Sequence, residues 1–165
     1  APGILTMLYE PDILADRIAL DRRTALPHRW VLATGCFDLL TPGHAFLLDT
    51  AASWQCRLVV GLNTDETIRK LKGPGRPILT LEERAQVLDI VRGVAGVTYF
   101  AERDPSELIQ QLMPDEFCKG SDWQDKDFPE RDVCKRLGIE IRFVPHTGHS
   151  TTDIIDRIVE SFGGD

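Results

Sequence analysis

Apolar and polar positions along this chain follow two rhythms. Five short runs dominated by apolar residues read as strands: Trp30-Val-Leu-Ala-Thr34, Arg57-Leu-Val-Val-Gly-Leu-Asn63, Val97-Thr-Tyr-Phe100, Glu116-Phe-Cys-Lys-Gly120 and Ile139-Glu-Ile-Arg-Phe-Val144. The second is continuously apolar, as expected of a strand covered on both faces. Helical patterns lie around and between these runs. Ile13, Leu14, Ile18 and Leu20 mark an amphipathic helix ending near Arg22-Arg23, to be packed on the sheet edge. Further helices are predicted over 43–54, from Asn63-Thr-Asp65 to Leu71, from the Thr80 cap to about Arg92, and from Asp104-Pro105 to Leu112. The last two run over 128–137, stopped by Gly138, and from Ser150 to Phe162. Thr80 with Glu83 three residues on is a capping-box pattern. Strands separated by helices throughout imply an α/β fold with a doubly wound, parallel, five-stranded sheet. Ligand positions are then expected beyond the carboxyl ends of the strands. Residues 1–27 are expected to form an N-terminal extension with one helix, and 28–165 the main domain.

Composition narrows the classes. A chain of 165 residues with 42% hydrophobic and 27% charged residues suits one globular domain with a real core. The net charge of −7 argues against a nucleic-acid surface, so an anionic ligand would have to meet a local basic patch. No apolar run approaches the ~20 residues of a membrane span, and no signal peptide is visible. Cys36, Cys56, Cys118 and Cys134 show no CxxC spacing, which points to free thiols in a reducing cytoplasm and to no structural zinc. The histidines lack metal-ligand spacing; His146 and His149 are three apart, but on a loop.

The chemistry concentrates in Gly35-Cys-Phe-Asp-Leu-Leu-Thr-Pro-Gly-His44, which lies between a strand and a helix. Free N–H groups and the aligned dipoles of a helix N-terminus favour an anion there. Gly35 and Gly43 admit close backbone approach, and His44 can donate to a phosphate oxygen. Lys70, Lys72 and Arg76 put three cations on a Gly-Pro-Gly segment suited to a lid over phosphates. Arg84 follows in the first turn of the next helix, to pair with carboxylates that position this loop or to touch substrate. Lys119-Gly-Ser-Asp-Trp123 follows the fourth strand, where Asp122 can accept from a sugar hydroxyl or amine and Trp123 can stack. Gly148-His-Ser-Thr-Thr152 opens the last helix with three hydroxyls that can cap it, bind phosphate, or both.

The first of these stretches resembles the GxFDxxHxGH signature of the cytidylyltransferase-like nucleotidyltransferases, whose two histidines bracket a nucleoside triphosphate. Thr41 replaces the first histidine, as in the TxGH variant of phosphopantetheine adenylyltransferases. Lys70 to Pro77 is similar to the KRLKGxxRP stretch of bacterial heptose 1-phosphate adenylyltransferases. Lys119 to Trp123 resembles both their KGGDY and the GDDW of glycerol-3-phosphate cytidylyltransferases. The 148–155 stretch is similar to GxSTTxII of both. Pro145-His-Thr147 stands where the cytidylyltransferases carry an arginine, which leans towards the adenylyl branch.

The resemblance implies a Rossmann-like, HUP-type nucleotidyltransferase fold in a cytoplasmic homodimer. The implied reaction moves AMP from ATP to a heptose 1-phosphate, releasing pyrophosphate, with Mg²⁺ held mostly by phosphate and water. Catalysis would rest on His44, Lys72 and Thr41. Gly35, Cys36, Phe37, Thr41, Gly43, His44, Lys119, Gly120, Asp122, Trp123, Ser150, Thr151 and Thr152 would bind the nucleotide. Asp38, Lys70, Lys72 and Arg76 would bind the acceptor, with Asp38 alternatively bracing the first loop. No attached kinase domain, nucleic acid or membrane is expected at this length. Two other readings stay open: a CTP-dependent enzyme for glycerol 3-phosphate or another polyol phosphate, and a nucleotide-binding regulatory protein without catalysis, motivated by Thr41.

Overall fold

The computed structural model describes residues 8–163. Five strands, β1 (Trp30–Gly35), β2 (Arg57–Asn63), β3 (Val94–Phe100), β4 (Glu116–Gly120) and β5 (Glu140–Val144), form one parallel sheet in the order β3-β2-β1-β4-β5. The helices among the described residues are α1 (Pro11–Asp21), α2 (Pro42–Ala52), α3 (Asp65–Lys72), α4 (Leu81–Asp89), α5 (Ser106–Leu112), α6 (Pro129–Leu137) and α7 (Thr151–Phe162). From β1 the chain winds outwards through β2 to β3, then crosses to β4 on the other side of β1. The loops after β1 and β4 therefore diverge at a topological switch point, where a crevice opens outside the carboxyl ends of the strands.

Alternation along the strands divides the core in two. Trp30, Leu32, Val59 and Phe117 face one layer with Leu14 and Ile18 of α1, Leu108 and Ile109 of α5, and Cys134 of α6. Val31, Ala33, Val60, Leu62 and Cys118 face the other, against Leu48 and Ala51 of α2 and Ala85 and Leu88 of α4. Side chains of a strand point alternately to the two faces, and burial on both faces accounts for the unbroken apolar run of β2.

Helix α1 lies within this packing. Leu14 is fully buried, and the Asp21 carboxylate accepts from the His28 N–H (3.0 Å) and Trp30 Nε1 (2.9 Å). Residue 8 makes an isolated parallel bridge to Val97, and the Tyr9 N–H donates to the Val97 carbonyl. Among the element boundaries that differ from the sequence pattern, three bear on the loops around the sheet. β3 begins at Val94, because pairing with β2 recruits Val94-Ala-Gly96 despite weak strand character. Helix α4 ends at Asp89, and Gly93, at φ +91, turns the chain into the strand. Helix α3 extends to Lys72, so both lysines expected on the loop are helical.

Candidate active site

A cleft of about 410 Å³ lies at the switch point. Its walls are the start of α2, the last residue of α3, the end of β4 with the following 3-10 turn (Ser121–Trp123), and the β5–α7 loop with the first residues of α7.

Pro42 occupies the first turn of α2, where its missing N–H costs nothing, and Thr41 is the N-cap in extended conformation. The His44 N–H donates to Thr41 Oγ1 at 3.2 Å, and the Thr41 N–H donates to His44 Nδ1 at 3.1 Å. Because Nδ1 accepts, the neutral ring carries its proton on Nε2. Burial lowers the His44 pKa below its ordinary value; the Leu39 carbonyl opposes this, and Lys72 and His146 add smaller pushes in the direction of burial. The ring lining the cleft is thus a neutral donor. Phe37, buried at φ +44, places its ring 5.0 Å from the imidazole.

Gly43 is required by packing. A Cβ there would lie 2.3 Å from the Thr147 carbonyl oxygen, so the β5–α7 loop closes directly on the α2 terminus. Thr151, buried at the start of α7, reinforces the joint by donating from Oγ1 to the Leu39 carbonyl (3.0 Å). Ser150 caps α7: its N–H and hydroxyl donate to Asp153 (2.6 and 2.8 Å), and the Asp153 N–H donates back to Ser150 Oγ. Thr152 is exposed beside them at the cleft.

Asp38 lies behind the cleft. Its buried carboxylate accepts from the Ile78 and Leu79 N–H groups at 2.9 Å and from Arg76 Nε at 2.8 Å. Burial pushes its pKa up, but the two backbone donors and the guanidinium outweigh that and hold it below the ordinary value. Asp38, expected either to brace the first loop or to meet the acceptor, braces it: with Arg76, expected at the acceptor, it clamps the α3–α4 loop to the first loop. Arg84 is wholly buried and joins four segments, donating to the carbonyls of Cys36 (2.8 Å), Asn63 (2.9 Å) and Leu79 (3.2 Å) and to Asp65 (2.7 Å). Four of its five N–H donors are thereby engaged, and its one carboxylate partner, Asp65, matches the carboxylate-pairing role. Lys70 points outward to Glu66 one turn back, while Lys72 lines the cleft.

On the far wall, Lys119 Nζ contacts Glu130 at 2.7 Å and lies 4.6 and 4.5 Å from the ring centres of Trp123 and Phe128. Trp123 stands edge-on to Phe128, has Lys126 Nζ 5.2 Å from its ring centre as well, and remains 40% exposed. Gly120 lets Asp122 fold back, since a Cβ would meet Asp122 Oδ1 at 2.6 Å.

Of the residues expected from the sequence, Thr41, Gly43, His44, Lys72, Lys119, Gly120, Asp122, Trp123, Ser150, Thr151 and Thr152 come together in this one cleft. Six do not line it: Gly35 and Cys36 end β1 and receive Phe37 and Arg84, Phe37 backs His44, and Asp38, Arg76 and Lys70 are committed as described. Among the lining residues not expected from the sequence are two histidines, His146 and His149. Judged as a metal pair they carry no signal. Their position just after a strand carboxyl end was the available one.

Among the described residues no group of three or more His, Cys, Asp or Glu could hold a metal ion, and Asp122 is the one carboxylate lining the cleft. Among the described residues no helix is long and apolar enough to cross a membrane.

The family described as cytidylyltransferase-like matches residues 32–157. The bifunctional protein HldE of Magnetococcus marinus is 42% identical over 129 residues, covering 78% of this chain and 26% of its own. The protein of the same name from Geobacter sulfurreducens is 39% identical over 153 residues, covering 92% and 31%. The chain thus spans less than a third of the length of these relatives. A lipopolysaccharide core biosynthesis protein from Thermoplasma volcanium has a similar structure, with TM-score 0.58 and 25% identity over 74% of this chain and 99% of its own.

Proposed function

The chain belongs to the cytidylyltransferase-like family of nucleotidyltransferases, and on that premise we propose that it transfers AMP from ATP to a sugar 1-phosphate of the heptose 1-phosphate type, releasing pyrophosphate. One observation carries the reading. The neutral Nε2–H of His44, the Lys72 ammonium and the N-termini of α2 and α7 share one cleft, so donors and positive dipole ends surround the place where phosphate charge would gather.

In this reaction an acceptor phosphate oxygen attacks the α-phosphorus of the nucleotide. The P–O bond to the β-phosphate breaks, and its electrons leave on pyrophosphate. No protein nucleophile is needed, so the residues work by positioning and by neutralising charge. His44 donates to the phosphate chain, and Thr41 keeps the imidazole in the donor tautomer. Lys72 follows the charge onto the departing pyrophosphate. The exposed Thr152 and the terminus of α7 take terminal phosphate oxygens. Trp123 and Asp122 receive the base or ribose. The donor set fits a Mg²⁺ arriving with the triphosphate, held mostly by phosphate and water oxygens, with Asp122 as the carboxylate within reach. When bound, the ion neutralises phosphate charge. The homodimer and the cytoplasmic location are inferred from the resemblance, and four free cysteines agree with a reducing compartment.

Pyrophosphate release with Mg²⁺, crossing ATP and CTP with heptose 1-phosphate, glycerol 3-phosphate and other phosphorylated sugars, tests the reading. Turnover with ATP and a sugar 1-phosphate is expected, lowered about a hundredfold in His44→Ala, the usual cost of one electrostatic stabiliser. Turnover with CTP and a polyol phosphate alone overturns it in favour of the cytidylyl branch, which the exposed indole of Trp123 would suit. ATP binding without release from any acceptor overturns it in favour of a regulatory protein.

A further inference from the structure

Three of the four histidines in the chain, His44, His146 and His149, line the same cleft, and they are not equivalent. His44 is buried, and its Nδ1 already accepts the Thr41 N–H, so gaining a second proton would break the α2 cap. His146 and His149 are exposed on the β5–α7 loop. That loop is pinned by the His146 N–H donating to Ser121 Oγ (3.2 Å), by the Thr147 carbonyl against Gly43, and by Thr151 on Leu39. The Ser150 N–H and hydroxyl hold the Asp153 carboxylate below its ordinary value, and the charge of His149 adds a smaller push the same way. The charge of His146 instead acts on His44.

Resting on the reading of this cleft as a polyphosphate site, we propose that His146 is a phosphate-binding residue that takes up its proton as a polyphosphate enters. The charged and titratable groups that line the cleft with it are His44 from α2, Lys72 from α3, Cys118, Lys119 and Asp122 from the end of β4 and the 3-10 turn, and His149, which acts on Asp153 at the α7 terminus. Lys119 is offset by Glu130, and burial pushes the Cys118 thiol up to about 12, so that thiol stays uncharged near neutrality. An anion of several negative charges in this cleft favours the charged form of an imidazole lining it, and imidazole is the side chain that responds near neutral pH. The cleft thereby gains a cation on the β5–α7 loop, in a chain whose overall charge is −7. Thr41 cannot supply one.

The test is calorimetric binding of inorganic pyrophosphate to the full chain, comparing His146→Gln with the unchanged protein at several pH values. The ratio of their dissociation constants cancels the ligand's own titration. It is expected to be within about twofold of unity near pH 8.5 and to rise to about tenfold near pH 6. In buffers of different ionisation enthalpy, the unchanged protein takes up more protons on binding than the variant does. His149→Gln keeps the parent's proton uptake. A ratio that does not vary with pH, or proton uptake lost in His149→Gln instead, overturns the assignment to His146 and leaves the polyphosphate cleft standing. Absence of pyrophosphate binding at every pH overturns both. The same ratio obtained with ATP assigns the contact to the nucleotide's phosphates, and an effect confined to pyrophosphate assigns it to the free anion.

Discussion

Thr41 and His44 hold each other: the main-chain N–H of Thr41 donates to Nδ1 of His44, and the main-chain N–H of His44 donates to Oγ1 of Thr41. A single reciprocal pair thus caps the helix and fixes which ring nitrogen faces the cleft with a proton. Thr41→Val removes the acceptor at nearly constant volume. It should cost about 1 kcal/mol in urea unfolding, as loss of an N-cap does, while Thr41→Ser should stay close to the parent protein.

The same geometry sets a pH dependence. Burial is the first cause of the lowered His44 pKa, so the folded protein binds this proton less readily than the unfolded chain. The associated stability is complete above the ordinary histidine value of about 6.5 and falls as pH drops towards the lower folded value. Thermal unfolding between about pH 5 and pH 8 should show this fall, and His44→Gln should flatten it.

Asp38 gathers the Ile78 and Leu79 amides and the Arg76 guanidinium. Asp38→Ala leaves a buried Arg76 charge without its partner, and unfolding free energy should fall by about 3–5 kcal/mol. Since the pKa of Asp38 is depressed, its contribution is present above the unfolded carboxylate value and is lost as pH falls through the folded one. Equilibrium denaturation at neutral and acid pH checks both statements, and the difference between parent and variant should shrink in acid.

Gly43 and Gly75 offer a matched contrast. A Cβ at Gly43 would lie 2.3 Å from the Thr147 carbonyl oxygen, a backbone atom that cannot rotate away, whereas at Gly75 it meets nothing within 4 Å. Gly43→Ala should therefore destabilise by about 1–3 kcal/mol and weaken pyrophosphate binding by forcing the β5–α7 loop off the helix. Gly75→Ala should change stability by no more than about 0.5 kcal/mol. Melting temperatures and pyrophosphate affinities of the two variants decide the matter.

Much of the fold is legible because its signals are local. The continuous apolar run of Leu58-Val-Val60, the caps at Thr41, Thr64, Thr80 and Ser150, and the stop at Gly138 each depend on a few neighbouring residues. Order along the chain then implies a parallel sheet, and a parallel sheet brings strand carboxyl ends together. That is why His44, Lys72, Trp123 and Thr152 meet although more than a hundred positions separate the first from the last.

Partnerships across loops were not legible. Nothing near Asp38 says that its donors come from Arg76, Ile78 and Leu79, or that Arg84 would be the best-buried cation of the chain. Lys70 and Lys72 look alike in sequence, yet two residues on a helix turn them through about 200°, one to Glu66 and the other into the cleft. His146 looked isolated because its neighbours, Ser121 and the α2 terminus, are remote along the chain. By itself the sequence determined which segments become strands and helices, and hence where a ligand cleft would open, since periodicity and capping act within a few residues. Only the tertiary structure decided which charges face that cleft and which are spent bracing its loops. Ion pairs and close backbone approaches depend on distances that exist only after the sheet has closed.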